Sequence, residues 1–253
     1  MEVKPAKFEY HAPQTLDALV ALLAEHGDDG KILAGGQSLV PVMNFRLARP
    51  AKLFDLNGIA ALDFLREEKN ILKIGALVRH AAFHKAVVAG PTGALLKETA
   101  RHIAHYPIRQ RGTFAGSIAH ADPASELCAV LLVLDGRVIA RSPRGERVIA
   151  AGDFFRGPMD SALEPDELVT ETWFPATRGP VAIAEEARRH GDFAMAGAVR
   201  AGDRLAVFGV APRPLLADPA DPARGLRPSA EPECSPEFRL HLLAAVVERV
   251  MAG

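Results

Sequence analysis

Lys31-Ile32-Leu33-Ala34-Gly35-Gly36-Gln37-Ser38-Leu39 is the stretch on which the reading of this chain turns. An apolar run enters a glycine pair, two polar residues follow, and apolar residues resume at Leu39. The run predicts a short buried strand. The glycines permit a sharp turn and close approach of another group, because no Cβ stands in the way. Gln37 and Ser38 fall where a new turn or helix starts and backbone N–H groups are free, a setting that suits a phosphate or pyrophosphate. The same residues also read as a plain strand–turn–helix connection, and periodicity alone does not separate the two.

Around this stretch the signals are local. Thr15 is placed to cap a helix carrying Leu16, Leu19, Val20 and Leu23, with Gly27 as its stop. Residues 5–10 predict an edge strand and residues 52–56 a second strand, ended by the turn pair Asn57-Gly58. Residues 62–66 and 71–75 predict one hairpin, and residues 138–140 and 147–149 another. Residues 79–104 have a looser helical pattern interrupted at Gly90-Pro91; His102 and His105 near its end suit caps or surface positions, or a metal pair. Residues 168–174 alternate like a half-buried strand, residues 182–189 continue with charge, and residues 204–210 predict a strand. Seven of the 19 prolines fall in residues 211–236, an exposed connection. Phe238, Leu242, Val246 and Val250 outline a closing amphipathic helix.

The 253 residues suffice for one large domain or a few small ones. A net charge of −1 gives no global field toward nucleic acid or an anionic membrane, and 6% aromatics argue against a base-stacking binder. No apolar run approaches the roughly 18 residues of a membrane span. Met1–Pro5 has no apolar leader segment. Cys128 and Cys234 cannot supply the four ligands of an iron–sulfur cluster or a zinc site, and a reducing, cytoplasmic setting is expected.

A second glycine-containing stretch runs from Ile108 to Glu126. Gly112-Thr113-Phe114-Ala115-Gly116-Ser117 is small enough for backbone to wrap a ligand, and Ser117, His120, Asp122 and Glu126 supply polar groups. A loop with capping residues is the plainer reading. The chain has no Walker phosphate loop, Rossmann fingerprint, nucleophile elbow or zinc-protease motif. Two separated cradles fit a dinucleotide held by backbone more than by an acid, base or nucleophile.

Taken together, Ala34–Leu39, Asp55-Leu56-Asn57, Ile74-Gly75-Ala76, Ile108-Arg109-x-Arg111-Gly112-Thr113, Gly116-Ser117, Ala121–Ala124, Ala187–Ala194, Gly209–Pro214 and Glu237-Phe238-Arg239 resemble the FAD-binding medium subunit of the molybdenum hydroxylases. This is the family of xanthine dehydrogenase and aerobic carbon monoxide dehydrogenase. The resemblance implies an α+β, vanillyl-alcohol-oxidase (PCMH-type) fold with two α/β subdomains, residues 1–57 and 58–176, and a C-terminal α/β domain, residues 177–253. It implies FAD bound non-covalently, with Ile32, Leu33, Ala34, Gly35, Gly36, Gln37, Ser38 and Leu39 around the pyrophosphate. Thr113, Phe114, Ala115, Gly116 and Ser117 would form the second wall, Asp122 and Glu126 would contact the cofactor, and Leu168 would lie near a ring edge. Ala115 stands where the family's second motif has glycine. Glu185 stands where some relatives have a flavin-contacting lysine and is given no role.

No catalytic residue or metal ligand is implied on this chain. The implied partners are a large molybdopterin subunit and a small [2Fe-2S] subunit, assembled as a dimer of heterotrimers, with electrons passing from the clusters through FAD to an external acceptor. A stand-alone flavin oxidoreductase and a non-catalytic assembly subunit that has lost FAD are the alternatives.

Overall fold

A short parallel sheet comes first in the computed structural model, which describes residues 4–232 and 234–252. β1 (Glu9–His11), α1 (Leu16–His26), β2 (Gly30–Leu33), α2 (Leu39–Asn44) and β3 (Lys52–Asp55) follow one another, and the strands lie in the order β1-β3-β2. α1 starts where expected: Thr15 is extended and its Oγ1 accepts a hydrogen bond from Ala18 N at 3.2 Å. Leu19, Val20 and Leu23 form the buried stripe of α1, and Phe54 of β3 is fully buried.

A five-stranded antiparallel sheet follows, in the order β4-β5-β10-β6-β7. β4 (Leu65–Glu68) and β5 (Ile71–Gly75) form the first hairpin. The chain then leaves the sheet for a 3₁₀ turn (His80–His84), α3 (Gly90–His102), α4 (Tyr106–Arg111), α5 (Phe114–His120) and α6 (Glu126–Val133). It returns as the hairpin of β6 (Arg137–Ser142) and β7 (Gly145–Ala150). After α7 (Ala151–Phe154) and the ribbon of β8 (Phe155–Gly157) with β9 (Asp160–Ser161), β10 (Leu168–Pro175) inserts between β5 and β6. Gly90-Pro91 does not interrupt a helix but begins one, because proline at the first helical positions lacks only an amide that has no intrahelical acceptor. Phe83, Phe114 and Phe174 pack in a row from the 3₁₀ turn through α5 onto β10, the first pair tilted and the second edge-on, with centroids 4.7 and 5.2 Å apart.

The third sheet is β11 (Val181–Glu186), β12 (Ala196–Ala201), β13 (Arg204–Phe208) and β14 (Leu215–Ala217), closed by α8 (Pro236–Ala252). Its residues alternate between two covers. Val199, Ala201, Ala206 and Phe208 join the main core with α6, whereas Ala196, Ala198, Leu205 and Val207 pack with Leu243, Val246, Val247 and Val250 of α8. α6 is buried on every side, as a helix between two packed layers must be. Two further expectations change. Residues 182–189 read from sequence only as a charged continuation, yet Val181–Glu186 form β11. The buried face of α8 is Arg239, Leu243, Val246, Val247 and Val250, while Phe238 is exposed. A strict four-residue repeat drifts around a helix of 3.6 residues per turn, so a stripe through Phe238 leaves the contact face.

Candidate functional site

The first wall is the turn between β2 and α2. Gly36 has φ +72°, the left-handed region that glycine enters without steric cost. Val40 N donates to Gly36 O at 3.0 Å, and Gln37 folds back so that its Nε2 donates to Gly35 O at 3.0 Å. Among the described residues, no protein acceptor takes the amides of Gly36, Gln37 or Ser38. Ile32, Leu33, Ala34, Gln37 and Leu39 are partly buried, and Ser38 is exposed at the start of α2.

The second wall is the N-terminal turn of α5. Thr113 caps it, Oγ1 accepting from Gly116 N at 3.2 Å, and Phe114 N donates to Val78 O at 2.9 Å. The two walls meet. A Cβ on Gly35 would lie 2.5 Å from Arg111 O, 2.6 Å from Gly112 Cα and 2.9 Å from Thr113 N. A Cβ on Gly116 would come within 3.8 Å of Ala34 Cβ. Gly35 is thus where two backbones approach each other at a distance no larger residue allows, whereas at Gly116 the close neighbour is Thr113 Oγ1, 2.5 Å away, and Ala34 is in ordinary contact.

The other residues singled out divide into two groups. Ser117 and Asp122 are partly exposed. Ser117 Oγ lies 3.2 Å from Ser125 Oγ, and Asp122 Oδ1 accepts from Ala124 N at 2.8 Å. Phe114, Ala115, Glu126 and Leu168 are buried, and the side chains of Phe114, Ala115 and Leu168 lie in the core. The methyl of Ala115 therefore does not crowd the cleft. Glu185 is buried against His102, with Oε1 3.2 Å from Nδ1, so its charge is engaged in a pair that raises the His102 pKa. His105 precedes α4 and lies against Gly191. Among the described residues no cluster of histidine, cysteine or acidic groups is arranged to hold a metal, and Cys128 and Cys234 are free and buried.

Sequence reading missed a polar chain behind the walls. Asn57 Nδ2 donates to Ala34 O at 2.9 Å, and Asn57 Oδ1 accepts from Arg79. Arg79 donates again to Arg111 O. Asp55 Oδ1 accepts from Asn57 N at 2.8 Å, and Tyr10 OH donates to Asp55 Oδ2. His80 N donates to Gly112 O at 3.1 Å, and the buried His80 ring lies under Gly112. The signal was present in Asp55-Leu56-Asn57, but nothing local ties that motif to Arg79.

Charge at the walls favours an anion. Burial, then the neighbouring Arg111, lowers the Arg79 pKa, so two guanidinium groups converge on one rim. Burial pushes the Glu126 carboxyl up to about 8, with Glu185 and Asp122 adding to the shift, so Glu126 is mostly protonated at neutral pH. Three amides without a protein acceptor among the described residues, a glycine cradle and the guanidinium groups of Arg79 and Arg111 suit a dinucleotide pyrophosphate.

Comparison with known proteins agrees with this chemistry. A family model described as the FAD binding domain in molybdopterin dehydrogenase matches residues 6–177. The caffeine dehydrogenase subunit beta of Pseudomonas sp. strain CBB1 is 43% identical over 199 residues, 78% of this chain and 68% of that protein. The carbon monoxide dehydrogenase medium chain of Hydrogenophaga pseudoflava is 36% identical over 222 residues, 83% of this chain and 77% of that protein. A solved structure of carbon monoxide dehydrogenase from the same organism, lacking the Mo-pyranopterin moiety of its molybdenum cofactor, superposes with a TM-score of 0.91 at 31% identity. That match covers 98% of this chain and 97% of the other.

Proposed function

Because this chain belongs to the family of FAD-binding domains of molybdopterin dehydrogenases, we propose that it is the electron-transfer subunit of a molybdenum hydroxylase. In this reading a partner subunit carries molybdopterin and another carries [2Fe-2S] clusters, in a cytoplasmic dimer of heterotrimers. The chain divides at residues 57 and 176 into two FAD-binding subdomains and a C-terminal domain. When bound, FAD supplies the redox chemistry between the clusters and an external acceptor.

The residues of this chain bind and orient. Gly35 and Gly36 let backbone amides face the pyrophosphate from one side, and the turn from Thr113 to Ser117 faces it from the other. Arg79 and Arg111 offset its charge. Glu126, mostly protonated at neutral pH, adds little negative charge near the cofactor. The relatives act on substrates as unlike as caffeine and carbon monoxide by name. Substrate choice is therefore assigned to a partner subunit.

The observation that carries this reading is the contact of Gly35 with Arg111–Thr113, which makes one cradle of two distant stretches. The test is the flavin content of the purified chain and of Gly36→Val, with co-purification of molybdenum and iron–sulfur subunits from the native host. The wild type is expected to be yellow and the variant folded but colourless. A variant with full flavin content overturns the cradle, and a native preparation without molybdenum or iron overturns the assembly.

A further inference from the structure

The two walls belong to separate pieces of the chain, and each is anchored by backbone to its own support. The first wall hangs on the parallel sheet: Leu56 N donates to Leu33 O at 2.9 Å, immediately before the turn. The second wall hangs on the segment after β5, where Phe114 N donates to Val78 O at 2.9 Å and His80 N donates to Gly112 O at 3.1 Å. The Gly35 contact brings these bodies together but is only a van der Waals approach.

What crosses between them is a relay of side chains. From Ala34 O it runs through Asn57 Nδ2 and Asn57 Oδ1 to the Arg79 guanidinium, and from there to Arg111 O. One end is a main-chain carbonyl of the first wall, and the other is the last carbonyl of α4, two residues before the second wall begins. We propose that Asn57 and Arg79 are positioning residues for FAD, a clasp that sets the separation of the two walls and through it the affinity for the pyrophosphate. The proposal rests on the reading of these walls as the FAD cradle.

The relay is built for one geometry. Asn57 Nδ2 donates to both Ala34 O and Asp55 Oδ1, which leaves its Oδ1 as the acceptor that faces Arg79. Asp55 is held in turn by Asn57 N and by Tyr10 OH from β1. The amide of Asn57 is thus fixed before Arg79 reaches it. The forked guanidinium gives one nitrogen to Arg111 O and the other to Asn57 Oδ1 in a fixed plane, whereas the three N–H donors of a lysine radiate from one nitrogen on a flexible stem and do not match that spacing. A cation bound to two neutral oxygens, with Arg111 beside it, also keeps a positive charge at the rim, offset in part by the Asp63 and Asp55 carboxylates.

The test uses the full-length chain stripped of flavin. FAD affinity is measured by quenching of flavin fluorescence, and the unfolding midpoint of the flavin-free chain is measured separately. Arg79→Met and Asn57→Ala are each expected to weaken FAD binding at least tenfold, with the flavin-free midpoint little changed. The double variant is expected to be no weaker than the worse single, because both break the same relay. Arg79→Lys should recover only part of the loss. Wild-type affinity in Arg79→Met, additive losses in the double variant, or full recovery with lysine overturns the clasp. If Arg79→Met does not fold, Asn57→Ala decides alone, and unchanged affinity there overturns it. A wild-type chain that binds no FAD overturns the proposed function instead.

Discussion

Replacing Gly35 by alanine tests the meeting of the walls directly. The new Cβ would lie 2.5 Å from Arg111 O and 2.6 Å from Gly112 Cα, where ordinary contact begins at 3.4 Å. Both neighbours are backbone, so neither can swing aside, and the walls must part by about 0.9 Å to restore contact. Such overpacking typically costs ~1–3 kcal/mol. A charge-assisted hydrogen bond to the pyrophosphate lost in the opening costs another ~1.5–3 kcal/mol of binding. That is roughly a ten- to hundredfold rise in the FAD dissociation constant. Gly36→Ala is the control. Its penalty is the left-handed backbone, about 1–2 kcal/mol, while the atoms it meets are side-chain ends of Leu33 and Val40 at 3.1 and 3.2 Å. Fluorescence titration of the flavin-free variants should therefore rank Gly35→Ala as the weaker binder of the two. Gly35→Ala binding FAD within threefold of wild type would refute the contact of the walls.

Stability of the flavin-free chain should be greatest in mildly acidic solution. The raised pKa of Glu126 gives stability that is present below its unfolded value of 4.5 and lost as pH rises through about 8. His80 has the opposite sign: burial, then Arg109 and Arg79, hold it at about 4, so its contribution is present above 6.5 and lost as pH falls to about 4. Denaturant unfolding of Glu126→Gln should flatten the alkaline limb by up to ~5 kcal/mol, at ~1.4 kcal/mol per pKa unit, and an unchanged limb would show that Glu126 ionises freely. Arg147→Met should cost about 1.5–3 kcal/mol, because it strips two bonds of 2.7 and 2.6 Å from the buried Glu167 carboxylate. That is less than breaking a fully buried pair, since the Arg147 side chain is 44% exposed. An unfolding midpoint like that of wild type would refute this account. Leu243→Ala should cost ~2–5 kcal/mol, since Leu243 is fully buried between α8 and the third sheet. A loss confined to surface-like values in chemical denaturation would mean that α8 is not docked.

What could be read from sequence was what repeats locally. Thr15 with the Leu19 stripe, the glycine turn after Leu33 and the two hairpins each occupy one short window, and each has its own periodicity or turn chemistry. β11 and β12 were not legible, because a strand covered on both faces loses alternation. Ala196-Gly197-Ala198 reads as small residues in any setting until α6 and α8 are known to lie on either side. At the site, the glycine stretches were legible as two pieces of flexible backbone, and the family resemblance joined them. Asn57 and Arg79 were not, since a side chain bonding carbonyls 23 and 32 residues away leaves no spacing rule behind.

The all-buried α6 carries a consequence for any attempt to shorten the protein. The matched family segment ends at residue 177, yet Val199, Ala206 and Phe208 lie in the same core as Leu127–Val133 of α6. A fragment cut at that boundary would bare a continuous apolar ridge, the kind of surface that drives aggregation. The third sheet is therefore expected to be required for solubility of the cofactor-binding half, and a fragment of residues 1–177 should aggregate where the whole chain does not.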